Sequence, residues 1–105
     1  MNNIFDKIPT CLKQEIVEPL IEQDSVRIER IISKGHKSPE AGWYDQDQNE
    51  WVMVLRGEAI LAFEGASSIT LKEGDFVDIK AHRKHKVEWT DPAIETIWLA
   101  VRYSD

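Results

Sequence analysis

The sequence predicts an all-β sandwich or barrel with a short helical segment at its N-terminus, and three observations favour this fold class. Apolar Val26, Ile28 and Ile32 alternate with polar Arg27, Glu29 and Ser33, as in a half-buried strand. Further short strand candidates follow at Trp51 to Leu55, Glu58 to Glu64, Ser68 to Lys72, Phe76 to Ile79, Lys86 to Trp89 and Ile94 to Tyr103. Turns rich in glycine, proline and acidic residues separate them, a pattern typical of sandwiches and barrels.

The segment before these strands carries a different pattern. Apolar residues recur every four positions, at Leu12, Ile16 and Leu20, which indicates a short amphipathic helix within residues 10–22. Pro19 is expected to break or end this helix, because proline lacks the backbone N–H that a helix interior needs.

The composition fits one small globular domain. The chain has 105 residues, of which 42% are hydrophobic and 30% charged, so it can build a core and does not read as disordered. We assign residues 1–22 to the helical segment and residues 23–105 to the β-barrel domain. Thirteen Lys and Arg against nineteen Asp and Glu give a net charge of −6, which argues against nucleic acid and anionic membranes as partners.

The sequence also favours a cytoplasmic location. Its longest apolar runs are far shorter than the roughly 20 residues that span a bilayer, and the first residues lack the pattern of a signal peptide. The single cysteine, Cys11, has no internal disulfide partner, which agrees with a reducing compartment.

Two predicted strands offer ionisable groups to a barrel interior. Residues two apart in a strand share a face, so Glu50 lies with Val52, and His85 lies with Val87. If these faces point inward, a carboxylate and an imidazole lie among apolar side chains, where an ion pair or a metal offsets the cost of burial. The opposite phase, with Trp51 and its face inward, is equally apolar, and periodicity alone does not choose between them.

Two motifs give the chain a specific resemblance. Glu50 and Gly57 are separated by six residues, and the stretch from Gly74 to His85 has the frame of Gly, five residues, Pro-x-Gly, two residues and His. In this respect the chain from about residue 26 to residue 103 resembles a small single-domain cupin, a family of RmlC-like jelly-roll barrels. The resemblance implies a double-stranded β-helix with Glu50 and His85 inside it, and pairing of two barrels into a homodimer.

The sequence departs from the cupin pattern in the first motif. The family carries His-x-His three or four residues before the Glu, and here these positions hold Trp43 and Asp45 at the longer spacing or Tyr44 and Gln46 at the shorter one. Two histidine ligands are therefore missing. In the second motif Lys80 replaces Pro, His82 replaces Gly and Trp89 replaces Asn, while His85 keeps the ligand position. The run from Trp43 to Gln46 resembles a subgroup of small bacterial cupins, most of which have no assigned function.

The resemblance gives a candidate metal site. Glu50 and His85 are its first ligands, and His82 and Asp45 are possible additions. This mixture of nitrogen and oxygen donors suits Zn, Fe, Mn or Ni without choosing among them. The alternative is a metal-free pocket, since a histidine taken alone is more often a hydrogen-bonded structural residue than a ligand.

Aromatic and basic residues near these ligands are candidates for a substrate pocket. The predicted pocket residues are Trp43, Tyr44, Gln46, Trp89 and Arg83. Flat aromatic faces hold sugar rings and planar acids well, and a guanidinium matches an acidic group. The same aromatic residues fit equally well in a packed core. The basic run around Arg83 is more often a solvated turn.

Three functional hypotheses remain open from the sequence. The first is an enzyme that uses a divalent metal and acts on a small polar molecule. The second is a metal-free module that binds a sugar or an organic acid without catalysis. The third is an interaction protein that presents Trp51 and the N-terminal segment to a partner. The sequence contains no phosphate-binding loop, dinucleotide fingerprint or nucleophile motif, so kinase, dehydrogenase and hydrolase functions have no support.

Overall fold

A computed structural model describes residues 1–105 and contains eight β-strands and no helix. The strands are β1 (Ile16–Glu22), β2 (Val26–Ser33), β3 (Asn49–Arg56), β4 (Ala59–Phe63), β5 (Ile69–Leu71), β6 (Phe76–Ile79), β7 (His85–Thr90) and β8 (Thr96–Tyr103). They form a five-stranded sheet in the order β1-β2-β8-β3-β6 and a three-stranded sheet in the order β5-β4-β7. The predicted all-β barrel is confirmed, and no helix in the chain is long and apolar enough to cross a membrane.

The predicted N-terminal helix is wrong, because this segment forms strand β1 and pairs antiparallel with β2. Ile16, Val17 and Ile21 are β-branched and favour an extended backbone. Pro19 is tolerated since β1 is an edge strand, where one side of the backbone has no partner strand. The register shifts between Pro19 and Ile21, so the four-residue apolar spacing does not reflect one shared face.

The core lies between the inner faces of the two sheets. Its buried hydrophobic cluster consists of Val52, Val54, Ala59, Leu61, Phe63, Leu71, Ile79, Trp98 and Ala100. On β3, Val52 and Val54 are buried while Trp51 and Met53 are only partly buried, which resolves the ambiguity in phase. Glu50 therefore points inward with Val52 and Val54.

Contacts to two arginines hold the start of the chain against the barrel. Arg30 donates from Nη1 to the backbone carbonyls of Ile4, at 3.0 Å, and Asp6, at 2.6 Å. The guanidinium of Arg56 lies 4.6 Å from the ring centroid of Phe5. The chain then leads towards β1 and passes the open end of the cavity described next.

Candidate ligand-binding site

A cavity of about 520 Å³ opens into the barrel between the two sheets. Its apolar walls include Ile31, Val52, Leu61, Ile79, Val87 and Trp98, which come from the inner faces of both sheets. Its polar lining includes Glu50, His85, Arg102, Tyr44 and Gln46. Apolar walls with a few convergent polar groups are typical of small-molecule sites.

Glu50 and His85 meet across the cavity from opposite sheets. The distance from Glu50 Oε1 to His85 Nε2 is 3.4 Å, and both residues are buried. His85 Nδ1 lies 2.8 Å from the backbone carbonyl of Arg83, which can only accept a hydrogen bond. Nδ1 is therefore protonated, and Nε2 is the nitrogen that exchanges a proton beside Glu50.

The surroundings of His85 favour its charged form. Burial by itself lowers the pKa of His85, but the hydrogen bond with Glu50 and the one to the Arg83 carbonyl outweigh it, together with the attraction of the Glu50 charge. The pKa of His85 consequently lies above its ordinary value of 6.5. An imidazole in this state can donate or accept a proton near neutral pH.

A chain of charged side chains, of which the carboxylates are buried and the arginines are partly exposed, continues from Glu50 along the five-stranded sheet. Arg102 Nε lies 3.4 Å from Glu50 Oε2 and 3.4 Å from Glu29 Oε1. Arg27 Nε lies 2.8 Å from Glu29 Oε2, and the Glu29 side chain is only 2% exposed. Charges of alternating sign therefore run from Arg27 through Glu29, Arg102 and Glu50 to His85.

Sequence reasoning missed Glu29, Arg27 and Arg102. Alternation in β2 indicated that its apolar set faces the core, but Glu29 is buried and its partner across the strands, Ala100, belongs to the core cluster. The available signal was the spacing of Arg27 and Glu29, two residues apart and of opposite charge, which is compatible with an ion pair on an inward face.

The four predicted metal ligands form two separate pairs. Glu50 and His85 line the cavity, whereas His82 and Asp45 contact each other outside it at 2.8 Å, with side chains 69% and 42% exposed. No three His, Cys, Asp or Glu side chains come together in an arrangement that could hold an ion. Since protein metal sites commonly use three or four ligands and Arg102 already neighbours Glu50, the donors present do not fit a resident divalent metal.

Tyr44 and Gln46 line the cavity at the shorter of the two motif spacings. Tyr44 forms an isolated bridge with His85 through two backbone hydrogen bonds of 2.8 Å and 3.2 Å. The carbonyl of Gln46 accepts a hydrogen bond from the backbone N–H of His82 at 2.7 Å. These contacts place a phenol and an amide at positions where the cupin motif has histidines.

Trp89 does not line the cavity, because a bulge in β7 puts its side chain on the opposite face of the sheet from Val87. Val87 pairs with Leu61, which lines the cavity, while Trp89 pairs with Ile60. Ile60 and Leu61 are consecutive and face opposite sides, so Ile60 and its partner Trp89 face away. The register shift leaves Glu88 as the extra residue of the bulge.

Trp43 and Arg83 also lie outside the cavity lining, in cation–π contacts. Lys86 Nζ is 4.7 Å from the ring centroid of Trp43, and the guanidinium of Arg83 is 4.0 Å from that of Phe63. The other cations of the basic run have partners as well. Lys80 pairs with Asp78, Lys84 with Glu64, and Lys86 with the carbonyl of Glu40. This run therefore behaves as a solvated turn.

Comparison with known proteins identifies the family. The family model described as the cupin domain matches residues 29–102 of the sequence, so this chain belongs to the cupin family. The jelly-roll barrel and the inward positions of Glu50 and His85 agree with that membership. A search of curated proteins finds no match.

Solved structures include similar proteins. A protein of Ralstonia eutropha JMP134, described as a "putative mannose-6-phosphate isomerase", is 42% identical, with 100% of this chain and 98% of that chain covered and a TM-score of 0.96. A cupin superfamily protein of Desulfitobacterium hafniense DCB-2 is 20% identical, with coverages of 93% and 84% and a TM-score of 0.76. An RmlC-like cupin of Methanocaldococcus jannaschii is also 20% identical, with coverages of 93% and 87% and a TM-score of 0.72. The latter two show the fold alone.

Proposed function

We propose that this cupin binds a small sugar or a related polar molecule in its barrel cavity, where Glu50 and His85 exchange protons with it. The observation that carries the proposal is the contact of 3.4 Å between His85 Nε2 and Glu50 at an otherwise mainly apolar cavity wall. Ionisable groups concentrated at one place in an apolar pocket are typical of sites that act on or orient a ligand.

The pair has the parts needed for general acid and base catalysis. Neutral His85 can take a proton at Nε2, and protonated His85 can give one, while the Glu50 carboxylate offers a second acceptor. Isomerisation of an aldose to a ketose requires such groups: one moves a proton from C2 to C1, and the other donates a proton to O1 and removes one from O2. Electrons are redistributed within the sugar, so no oxidant or reductant is needed.

The description of the Ralstonia protein as an isomerase supports testing this reaction class first. Mannose and mannose 6-phosphate would be incubated with the protein in D₂O, and deuterium at C2 would be followed by proton NMR. We expect incorporation with the wild type and loss of it in His85→Ala and Glu50→Gln. His82→Ala and Glu88→Gln change exposed residues outside the cavity and are the matched controls. No incorporation by the wild type contradicts the catalytic part of the proposal.

Binding without catalysis is measured separately through Trp98, which lines the cavity and is 4% exposed. A ligand in the cavity is expected to change its fluorescence and raise the melting temperature. If ligands bind but no deuterium is incorporated, the chain is a binding module, the second hypothesis from the sequence. If a broad panel of sugars and organic acids produces neither change, the proposed cavity function is refuted.

Metal dependence is the first hypothesis from the sequence, and although the donors in the cavity do not fit a resident divalent metal, it has a direct test. Of the His and Glu side chains that line the cavity, Glu50 and His85 contact each other, which is fewer than the three or four ligands of most protein metal sites, so we expect the wild type to stay metal-free. Elemental analysis of tag-free wild type after incubation with Mn, Fe, Ni and Zn, beside Glu50→Ala and His85→Ala, decides the question. Near-stoichiometric metal that both variants lose supports a metal-dependent function, and metal-free wild type contradicts it.

We also propose that two copies pair through the outer face of the five-stranded sheet. On this face Trp51 and Phe76 lie with ring centroids 5.4 Å apart, and Phe76 is 62% exposed. Met53 and Leu99 are partly buried neighbours across the strands. An apolar face of this kind is typical of an interface, and a face related to itself by twofold symmetry needs no second kind of partner.

A further inference from the structure

Arg102 presents an unused guanidinium edge to the cavity. Its Nε lies between the carboxylates of Glu29 and Glu50, at 3.4 Å from each. Its Nη1 and Nη2 form no hydrogen bond within the protein, and its buried Nε forms no well-aligned hydrogen bond to either carboxylate. The side chain is 33% exposed and lines the cavity, so the terminal nitrogens are accessible from it.

This geometry suits recognition of an oxyanion. The two terminal nitrogens of a guanidinium donate parallel hydrogen bonds that match two oxygens of a carboxylate or a phosphate. The carboxylates of Glu29 and Glu50 lie behind Nε and restrain the guanidinium, so less rotamer freedom is lost when a ligand binds.

The other charged residues of the cavity lining also favour an anionic ligand. Lys13 and Lys37 line it, are exposed, and form no ion pair. The lining contains two carboxylates, and both are engaged: Glu15 accepts a hydrogen bond from Ser33 Oγ at 2.8 Å, and Glu50 contacts His85 and Arg102. In a chain with a net charge of −6, the lining of this cavity has three permanent cations and two carboxylates, of which Glu50 is paired with His85 and Arg102.

We propose that the ligand carries a carboxylate or phosphate group that Arg102 binds through Nη1 and Nη2, with Lys13 and Lys37 attracting that group into the cavity. The inference rests on the proposed function in that the same ligand reaches Glu50 and His85 with its uncharged end. The inference adds that the ligand must carry an acidic group, which Glu50 and His85 by themselves do not require.

The test uses anions as probes, and it does not depend on turnover. Inorganic phosphate, succinate and the neutral polyol erythritol would be titrated into tag-free protein by calorimetry near neutral pH, at a low and at a higher fixed ionic strength. Arg102→Lys keeps a positive charge beside Glu29 and Glu50 but removes the two-nitrogen edge. Melting curves confirm that the variant is folded.

A second variant keeps the proposal falsifiable if Arg102→Lys does not fold. The double variant Lys13→Gln/Lys37→Gln removes the two charges at the cavity opening. Its matched control, Lys72→Gln/Lys84→Gln, removes two lysine charges away from the cavity and therefore has the same net charge as the double variant.

We expect wild type to bind phosphate or succinate, Arg102→Lys to bind about tenfold more weakly, and the double variant to bind a few-fold more weakly with less dependence on salt. The control pair should bind as the wild type does. Binding of succinate alone assigns the carboxylate, and binding of phosphate alone assigns the phosphate. No anion binding, or equal binding by Arg102→Lys, overturns the inference. Anion binding that is lost in Arg102→Lys without any deuterium incorporation upholds it while the catalytic proposal fails.

Discussion

Replacement of Gly57 by alanine should destabilise the barrel far more than the same change at Gly74. Both glycines have positive φ angles, +92° and +87°. A Cβ at Gly57 would lie 2.5 Å from Thr96 Oγ1 and 2.7 Å from Thr96 Cα, whereas a Cβ at Gly74 meets no atom within 4 Å. Thr96 is fully buried, so it cannot yield easily.

The expected magnitudes follow from these two terms. A left-handed backbone costs a residue other than glycine about 1–2 kcal/mol, and this cost applies to both variants. Overlap in a packed region adds about 1–3 kcal/mol, which only Gly57→Ala incurs. We therefore expect losses of about 2–5 kcal/mol for Gly57→Ala and about 1–2 kcal/mol for Gly74→Ala. At about 4 °C per kcal/mol for a chain of this size, the melting temperature falls by roughly 8–20 °C and 4–8 °C.

Urea denaturation followed by far-ultraviolet circular dichroism measures both losses on the same basis. Folded Gly57→Ala should keep the ligand affinity of wild type, because Gly57 does not line the cavity. Equal losses for the two variants would refute the reasoning, since they share the backbone cost and differ in the contact with Thr96. The comparison also shows whether the glycine of the first motif serves the fold or the site.

Three further predictions concern the charges and the surface. Burial lowers the pKa of His85, but hydrogen bonds raise it overall above 6.5, so protonated His85 adds stability that is complete below pH 6.5 and lost as the pH rises through the folded-state pKa. The difference in unfolding free energy between wild type and His85→Gln should shrink over that range, and a constant difference contradicts this. Arg27→Met should cost about 1–2 kcal/mol in urea denaturation, because it removes the nearer partner of buried Glu29 while Arg102 remains, and Arg27→Met/Glu29→Met should regain most of it. Equal stability of the single and double variants contradicts the cost assigned to the loss of Arg27 beside Glu29. Wild type should sediment as a dimer and Phe76→Asp as a folded monomer, with exposed Ile94→Asp as the control; a monomeric wild type rules out the pairing.

The strands after residue 25 could be predicted because their alternation and turns are local features of the sequence. Residues 10–22 could not, because the same apolar spacing fits a helix and a bulged strand. Their state depends on pairing with β2, a contact with residues further along the chain. Pro19 was the available signal, since proline is poor in a helix interior and acceptable in an edge strand.

Only part of the candidate site could likewise be predicted from the sequence. Glu50 and His85 could be placed inside the barrel because the resemblance to cupins implies this phase, whereas the alternation of apolar residues alone fits either phase. Trp89 was placed on the wrong side because one bulge residue inverts the alternation, and neither composition nor spacing reveals a bulge. The remaining polar groups, Glu29 and Arg102, lie on different strands and form a site only through the pairing of β2 with β8.

The buried charges are better explained by ligand recognition than by stability. Removing Glu29 and Glu50 from water is costly, and apolar side chains of similar volume often stabilise a protein equally well or better. The charges also lack ideal geometry: Arg102 Nε lies at 3.4 Å from two carboxylates and donates a well-formed hydrogen bond to neither. A guanidinium in this position is restrained but not fully satisfied by the protein. Its remaining donors reach the cavity beside Glu50 and His85, where a ligand with an acidic group would complete the arrangement.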